Sequence, residues 1–328
     1  MRAPQERQAR LEDVAKAAGV SRSTASRVIS GSGPASATAR DRVHSAVRML
    51  GYRPDQAARS LVNRSGFRVV LAVVGTSARV LDDPYVHRAV AAAATAAMPY
   101  EVGVSLRWLP RDAPRLDRML DDRTVRGVVL FNTTEAALDG VPSAFRGRVV
   151  SIGIGSRMVP SFDVDNGGGA AAVLEHLYRA GRRRIAMVAG PAWMPCARRP
   201  VEAYRDLVNS AGLPVRLVAG DFSAASGRRA TGTVLDRWPD TDAVFGINDA
   251  TAFGALAALR DAGRQVPADV AVAGFDDIGY AALSAPALTT ATHPVERIVA
   301  TAVEAVLTQG GVPSSRVFPS TLVRRDSA

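Results

Sequence analysis

Along the first fifty residues the apolar positions recur at helical spacing. Leu11, Val14, Ala15 and Ala18 stand at i, i+3, i+4 and i+7 and so share one face of a helix. Gly19 follows, where a residue without a Cβ can turn the chain, and Ser21 suits the N-cap of a second helix. On that second helix Ala25, Val28 and Ile29 share one face, and Arg22, Ser23, Ser26 and Arg27 share another. Past Gly31-Ser32-Gly33-Pro34, Ser36 can cap a third helix with Val43, Ala46, Val47 and Leu50 as its stripe and Gly51 at its end. A core shared by three short helices over roughly 50 residues is marginal without other support. Pro54 and Asp55 can open one more helix, of about seven residues and ending near Leu61, too short to be stable in isolation.

From Arg68 the pattern changes. Short apolar runs alternate with helical stretches. Val69–Val74, Val102–Leu106, Gly127–Phe131 and Val149–Ile152 form one set of expected strands. Ile185–Ala189, Arg216–Val218, Ala243–Ile247 and Val270–Gly274 form a second. Nearly continuous apolar strands between helices imply parallel sheets covered on both faces. Two sets imply two lobes and a cleft between them. Ligands of such sheets bind outside the carboxyl ends of the strands.

Composition narrows the setting. A length of 328 residues suggests about two domains, and 47% apolar residues suffice for packed cores. No apolar run approaches the ~20 residues of a membrane helix. Residues 1–10 are polar, so no signal peptide is read there. The single cysteine, Cys196, excludes an intrachain disulfide and a cysteine-rich zinc site. These features point to the cytoplasm. The net charge of +10 is uneven: residues 1–66 carry 12 Lys+Arg against 5 Asp+Glu, a net of +7, which leaves +3 for the other 262. A basic small unit on a near-neutral large one is the electrostatic footprint of phosphate binding.

Enzyme signatures are missing. Gly167-Gly168-Gly169 starts a helix without the dinucleotide spacing, and the four histidines, His44, His87, His176 and His293, show no metal-ligand spacing. No catalytic activity, cofactor or metal is expected.

The run Asp13-Val14-Ala15, Ala18-Gly19-Val20-Ser21, Thr24 and Ser26-Arg27-Val28 closely resembles the DNA-binding headpiece of LacI-type bacterial transcription factors, the lactose-repressor/purine-repressor family. The resemblance continues through Val164-Asp165-Asn166, Gly246-Ile247-Asn248-Asp249, Val266-Pro267-Ala268-Asp269-Val270, Gly274-Phe275-Asp276-Asp277 and Pro286-Ala287-Leu288-Thr289-Thr290. It implies a small all-α helix-turn-helix headpiece (1–51), a hinge helix or linker (52–66) and a two-lobed α/β domain with parallel sheets like those of periplasmic binding proteins (67–328).

By the same resemblance Arg22 and Ser23 read bases, with Arg the usual reader of guanine. Arg27 is a second reader, Thr24 and Ser26 touch phosphate or sugar edges, and Ser36 contacts phosphate. Leu11, Ser21 and Tyr52 complete the set on the headpiece. In the hinge, Leu61 is the wedge driven into the minor groove, and Ala57 and Ala58 let two hinge helices approach closely. Asn248 and Asp276 match effector-contacting positions, and His293 matches another at a lobe crossover. Trp193, Arg198 and Arg199 fall in the loop after Ile185–Ala189, where Trp193 could stack on a sugar and an arginine could bind hydroxyls or a carboxylate.

Three departures stand out. Arg10 takes the place of a Thr or Ser cap, which leaves the first helix open to fraying. Asp55 replaces a common Asn. Pro200-Val201-Glu202-Ala203-Tyr204 stands where the family carries Arg-x-x-Gly-Phe, so the expected ligand arginine is absent from its usual place. The function implied is a homodimeric regulator, a repressor, that binds a near-palindromic operator in double-stranded DNA. A small-molecule effector, a sugar or related metabolite, would control it. The competing reading is an architectural DNA-binding protein indifferent to sequence.

Overall fold

The computed structural model describes residues 9–30, 34–52, 68–112, 116–308 and 315–328. Ala57, Ala58 and Leu61 lie outside the described residues. The chain divides into two compact units, 1–65 and 66–328.

Among its described residues the small unit has three helices, α1 (Leu11–Ala18), α2 (Arg22–Ser30) and α3 (Ala37–Met49). Val14, Ala15 and Ala18 of α1, Ala25 of α2, and Val43 and Ala46 of α3 are buried together. Leu11, Val20, Val28, Ile29, Val47, Leu50 and Tyr52 pack around them. Gly19 adopts φ +61, the left-handed turn that needs no Cβ. The N-terminus of α1 is held despite Arg10, because the Arg10 backbone N–H donates to Asp13 Oδ2 at 2.8 Å. Asp13 thus supplies the return half of a capping box, tying the Arg10 backbone to the first turn, while Arg10 cannot supply the hydroxyl half. Ser36 caps α3 by accepting from the Ala39 N–H at 3.2 Å.

The large unit holds two parallel sheets. In the first, the strand order is β2 (Gly103–Pro110), β1 (Arg68–Gly75), β3 (Val125–Phe131), β4 (Val149–Ile152), β5 (Ser161–Val164) and β11 (Arg316–Phe318). In the second it is β7 (Leu217–Ala219), β6 (Ile185–Ala189), β8 (Ala243–Gly246) and β9 (Ala271–Ala273). Each forms the core of one lobe. Side chains alternate across β1: Val69, Leu71 and Val73 pack on one side, Val70, Ala72 and Val74 on the other, and all are buried. That is why the strand reads as an unbroken apolar run.

All eight expected strands are present. Four more were not expected: β5, β11, and the pair β10 (Thr290–Ala291) and β12 (Leu322–Val323), which run antiparallel. β5 and β11 complete the first sheet side by side, although about 150 residues apart in the chain. The chain therefore passes between lobes three times. It leaves the first lobe after β5 through helix α7 (Asn166–Arg179), the earlier helices of this unit being α4 (Pro84–Ala97), α5 (Asp117–Leu120) and α6 (Glu135–Asp139). It returns through β10 into the last helix, α11 (Val295–Leu307), which packs on α4 and on β3, β4 and β5. It crosses back from β11 to β12, and Ser327 then accepts from the Val272 N–H at the edge of the second sheet. Helices α8 (Pro195–Ser210), α9 (Ala224–Arg237) and α10 (Asp249–Asp261) cover the second lobe, α8 packing on α7 and α9 on α10.

Candidate functional site

In the small unit, α2 presents Arg22, Ser23, Ser26 and Arg27 outward, all exposed, while Ala25 is buried against the other two helices. Ser21 organises the start of this helix. Its hydroxyl accepts from the Thr24 N–H at 3.1 Å and lies 2.9 Å from Ser23 Oγ and 2.8 Å from Thr24 Oγ1. Arg22 Nη1 is 3.6 Å from Glu12 Oε1, an exposed pair that solvent screens and that holds the guanidinium only loosely. Arg27 Nε donates to the Ser23 carbonyl at 3.3 Å, which lays its side chain along the same face. Ser36 is exposed at the start of α3, and Leu11 and Tyr52 are half-buried. Short polar side chains and arginines on the second helix of a helix-turn-helix fit a major groove.

In the large unit a cleft of about 580 Å³ opens between the lobes. Its walls are the segments after β1, β3, β4, β6, β7, β8 and β9, together with the end of β5. Every one is the carboxyl end of a parallel strand, so both sheets aim their open ends at the same space. Asn132 (φ +54), Phe222 (φ +70) and Asp276 (φ +112) line it with backbone torsions rarely adopted by residues with a Cβ. Strain of this kind persists only where the surroundings impose it, and it gathers at binding sites.

The surroundings of Asp276 do impose it. Its N–H donates to the Ala291 carbonyl at 2.9 Å and its carbonyl accepts from Arg88 Nη1 at 2.9 Å. Its Oδ1 is 2.9 Å from His293 Nδ1. Arg88, on α4, also donates to the His293 carbonyl and to both carboxylate oxygens of Glu296 on α11. One arginine thus fastens the floor of the cleft to both helices. Asp249 secures the same loop from behind. Fully buried, it accepts from the Ile278 N–H and from Thr290 Oγ1.

Burial sets the charge states here. Desolvation, with the neighbouring charge of Asp276 next in weight, lifts Asp83 to about 6. Desolvation lifts Asp276 to about 7, against the opposing pull of Arg88. It pushes His293 down to about 4, so this imidazole is neutral at pH 7. Asp163 is also raised by burial, while Arg199, 3.6 Å away, draws it back.

Of the six effector residues expected from the sequence, Trp193, Asn248, Asp276 and His293 line the cleft. Asn248 is also the cap of α10: its Oδ1 accepts from the Thr251 N–H and its Nδ2 donates to the Phe222 carbonyl. Arg198 and Arg199 do not line it. They sit in helix α8 rather than in a loop, both exposed, on the side away from buried Ala197, Pro200, Tyr204 and Val208. Pro195 starts this helix where its missing N–H costs nothing. The second proline, Pro200, gave the segment the look of a loop. Pro200 itself lines the cleft. Tyr204 closes the core beneath, donating to the Ile185 carbonyl and accepting from the Arg216 N–H.

Sequence reading missed Asp83, Tyr85 and Asp163. Asp83-Pro84 carries a signal that was there to use, an Asp cap followed by Pro at the first helical position. Asp163 carries none, since a polar residue inside a short strand reads as a break in it.

An outward-facing helix-turn-helix, joined in one chain to a two-lobed ligand-binding fold, defines a class: DNA-binding regulators with a built-in small-molecule domain. A family model described as bacterial regulatory proteins of the lacI family matches residues 10–55, and one described as a periplasmic binding protein-like domain matches residues 174–328. The transcriptional regulator CelR of Thermobifida fusca is 36% identical over 298 residues, 87% of each chain. Among solved structures, the lac repressor dimer bound to operator and the anti-inducer ONPF superposes with a TM-score of 0.84 at 26% identity, covering 98% of this chain and 99% of that one. A CelR–cellobiose complex gives 0.70 at 32% identity over 98% and 100%. The chain belongs to the LacI family of bacterial regulatory proteins.

Proposed function

We propose that this protein is a sequence-specific transcriptional repressor. It acts as a homodimer, and its hold on DNA is set by a small molecule, a sugar or a close relative of one, seated between the two lobes. The observation that carries the reading is the presence, in one chain, of the outward Arg22/Ser23/Ser26/Arg27 face and a cleft built from the carboxyl ends of both sheets. CelR, solved with cellobiose, and the lac repressor, solved as a dimer on its operator, are the relatives that support it.

In this reading Arg22 and Ser23 meet base edges, and Arg27 is the second reader. Thr24, Ser26 and Ser36, with Leu11, Ser21 and Tyr52, set the register on phosphates and sugars. Leu61, Ala57 and Ala58 are the contacts expected of the segment 52–66, most of which lies outside the described residues. Asp276, Asn248, His293 and Trp193 hold the effector, and Arg199 acts on it through Asp163. Twofold pairing calls for a near-palindromic operator. An exposed apolar patch supports the pairing: Tyr280 and Leu283 are 71% and 80% exposed beside Phe253 and Ile278. The cleft binds without turnover; the Cys196 thiol beside it is pushed up to about 12 by burial and stays protonated. A DNA partner sets the working compartment as the cytoplasm, and no helix among the described residues is long and apolar enough to cross a membrane.

The experiment is selection of bound duplexes from a random library at physiological salt, followed by sequencing. The expected result is one palindromic motif. Uniform retention, with and without sugars present, would overturn the reading in favour of a binder indifferent to sequence.

A further inference from the structure

The cleft is read above as the effector site, and the following rests on that reading. Its polar wall is unbalanced. Asp83, Asp163 and Asp276 contribute carboxylates, and Asp82 and Asp221 add two more at exposed positions. The only arginine or lysine lining it among the described residues is Arg79, which is exposed. Pro200 occupies the place where the sequence resemblance puts an arginine; the nearest guanidinium to these carboxylates through an ion pair, Arg199, reaches Asp163 at 3.6 Å from the exposed side of α8 and does not itself line the wall.

The hydrogen-bonding inventory leans the same way. Of the cleft amides, Asn166 Nδ2 is taken up by Asp163 Oδ1 and the Val164 carbonyl, while Asn248 Nδ2, on the Phe222 carbonyl, and Asn132 Nδ2, on the Val74 carbonyl, each keep one N–H. Acceptors remain. The His293 side chain is nine-tenths buried, and its Nε2 has no partner. In the tautomer that carries its proton on Nδ1, toward Asp276, Nε2 is a bare acceptor. Asp83 and Asp276 each accept through Oδ1, from the Tyr85 N–H and from His293, and Oδ2 of each has no partner among the described residues. Tyr85, Trp193 and Phe222 supply aromatic surface in the same space. A wall of carboxylates, one imidazole acceptor and aromatic rings is the surface that receives an ammonium group. It repels a carboxylate or a phosphate.

We propose that the cleft takes an amine-bearing sugar, a polyol whose protonated amine lies among Asp83, Asp163 and Asp276 while its hydroxyls donate to the remaining acceptors. Neutral sugars are the weaker ligands of this chain, and sugar acids and sugar phosphates are excluded.

The test is calorimetric titration of the full chain at pH 7 with matched sets of sugars. Glucose, galactose and the β-1,4-linked glucose disaccharide are each compared with their 2-amino and 2-acetamido forms, with glucuronate as the anion. At least one amine is expected to bind about tenfold or more tightly than both its hydroxyl and its acetamido partner. D163N, and independently P200R, which sets a guanidinium into the wall, are expected to reduce that preference to about threefold or less. Thermal melts confirm that each variant is folded, and the comparison within the unaltered protein stands without them. Neutral sugars binding as tightly as their amines, or glucuronate binding more tightly, would overturn this inference and leave the effector-cleft reading intact. No binding by any form would overturn both.

Discussion

At the scale of single residues, the DNA-facing helix and the cleft obey opposite rules. Arg22 is exposed and loosely paired, so its value lies in what it meets. R22A is expected to weaken operator binding by about 1–3 kcal/mol and to flatten preference at one base pair of each half-site, read by anisotropy on single-substitution operators. Asp276 is buried, strained and crowded by Asp83, Asp249, His293 and Arg88, and it carries a sign that can be worked out. Its carboxyl titrates near 7 in the folded protein against 3.8 for the free group. The folded state therefore keeps a proton that the unfolded chain releases. That contribution to stability is present below about pH 4 and is lost as pH rises through 7. D276N removes the loss and keeps an acceptor for His293. Its melting temperature is expected to exceed the parent's by a few degrees more at pH 8 than at pH 4.5, at roughly 2–4 °C per kcal/mol for a domain this size. His293, 2.9 Å from Asp276, and Asp83 and Asp249, both raised by the Asp276 charge, are coupled to it, so the difference reports the cluster as a whole. An equal difference at both pH values would show that burial does not hold that proton.

At the scale of elements, legibility followed the length and purity of the pattern. Helices α1 to α3 were readable because Leu11, Val14, Ala15 and Ala18 and then Val43, Ala46 and Val47 mark unbroken stripes. The eight core strands were readable because both faces are buried. β5 was not, because Asp163 interrupts it with a carboxylate aimed at the cleft. β11 was not, because Arg316 and Val317 are exposed at the sheet edge. Function, in other words, hid β5: the residue that breaks the strand pattern is one that lines the site. Helix α8 failed for a different reason, two prolines within six residues. Caps were the best local guides. S36A is expected to cost the small unit about 1 kcal/mol, since the Ala39 N–H loses its acceptor, measurable as a lowered unfolding midpoint of the α-helical signal.

At the scale of the whole molecule, three chain crossings between the lobes make cleft geometry a property of the entire large unit. Arg88, tied to Asp276, His293 and Glu296, joins a helix of the first lobe to the loop that ends β9 in the second. R88A is expected to weaken sugar binding at the cleft and to blunt its effect on DNA binding, while leaving ligand-free operator affinity within about threefold. The readout is paired titrations of ligand and operator. Reciprocity then applies: whatever factor the ligand imposes on operator affinity, the operator imposes on ligand affinity. The central claim is that cleft occupancy controls DNA reading. The direct measurement is an anisotropy titration of the selected operator with the full-length protein, free and saturated with the tightest cleft ligand, at one salt concentration. The two dissociation constants are expected to differ by about 5- to 150-fold. Superimposable curves, with the cleft independently shown to be full, would contradict it.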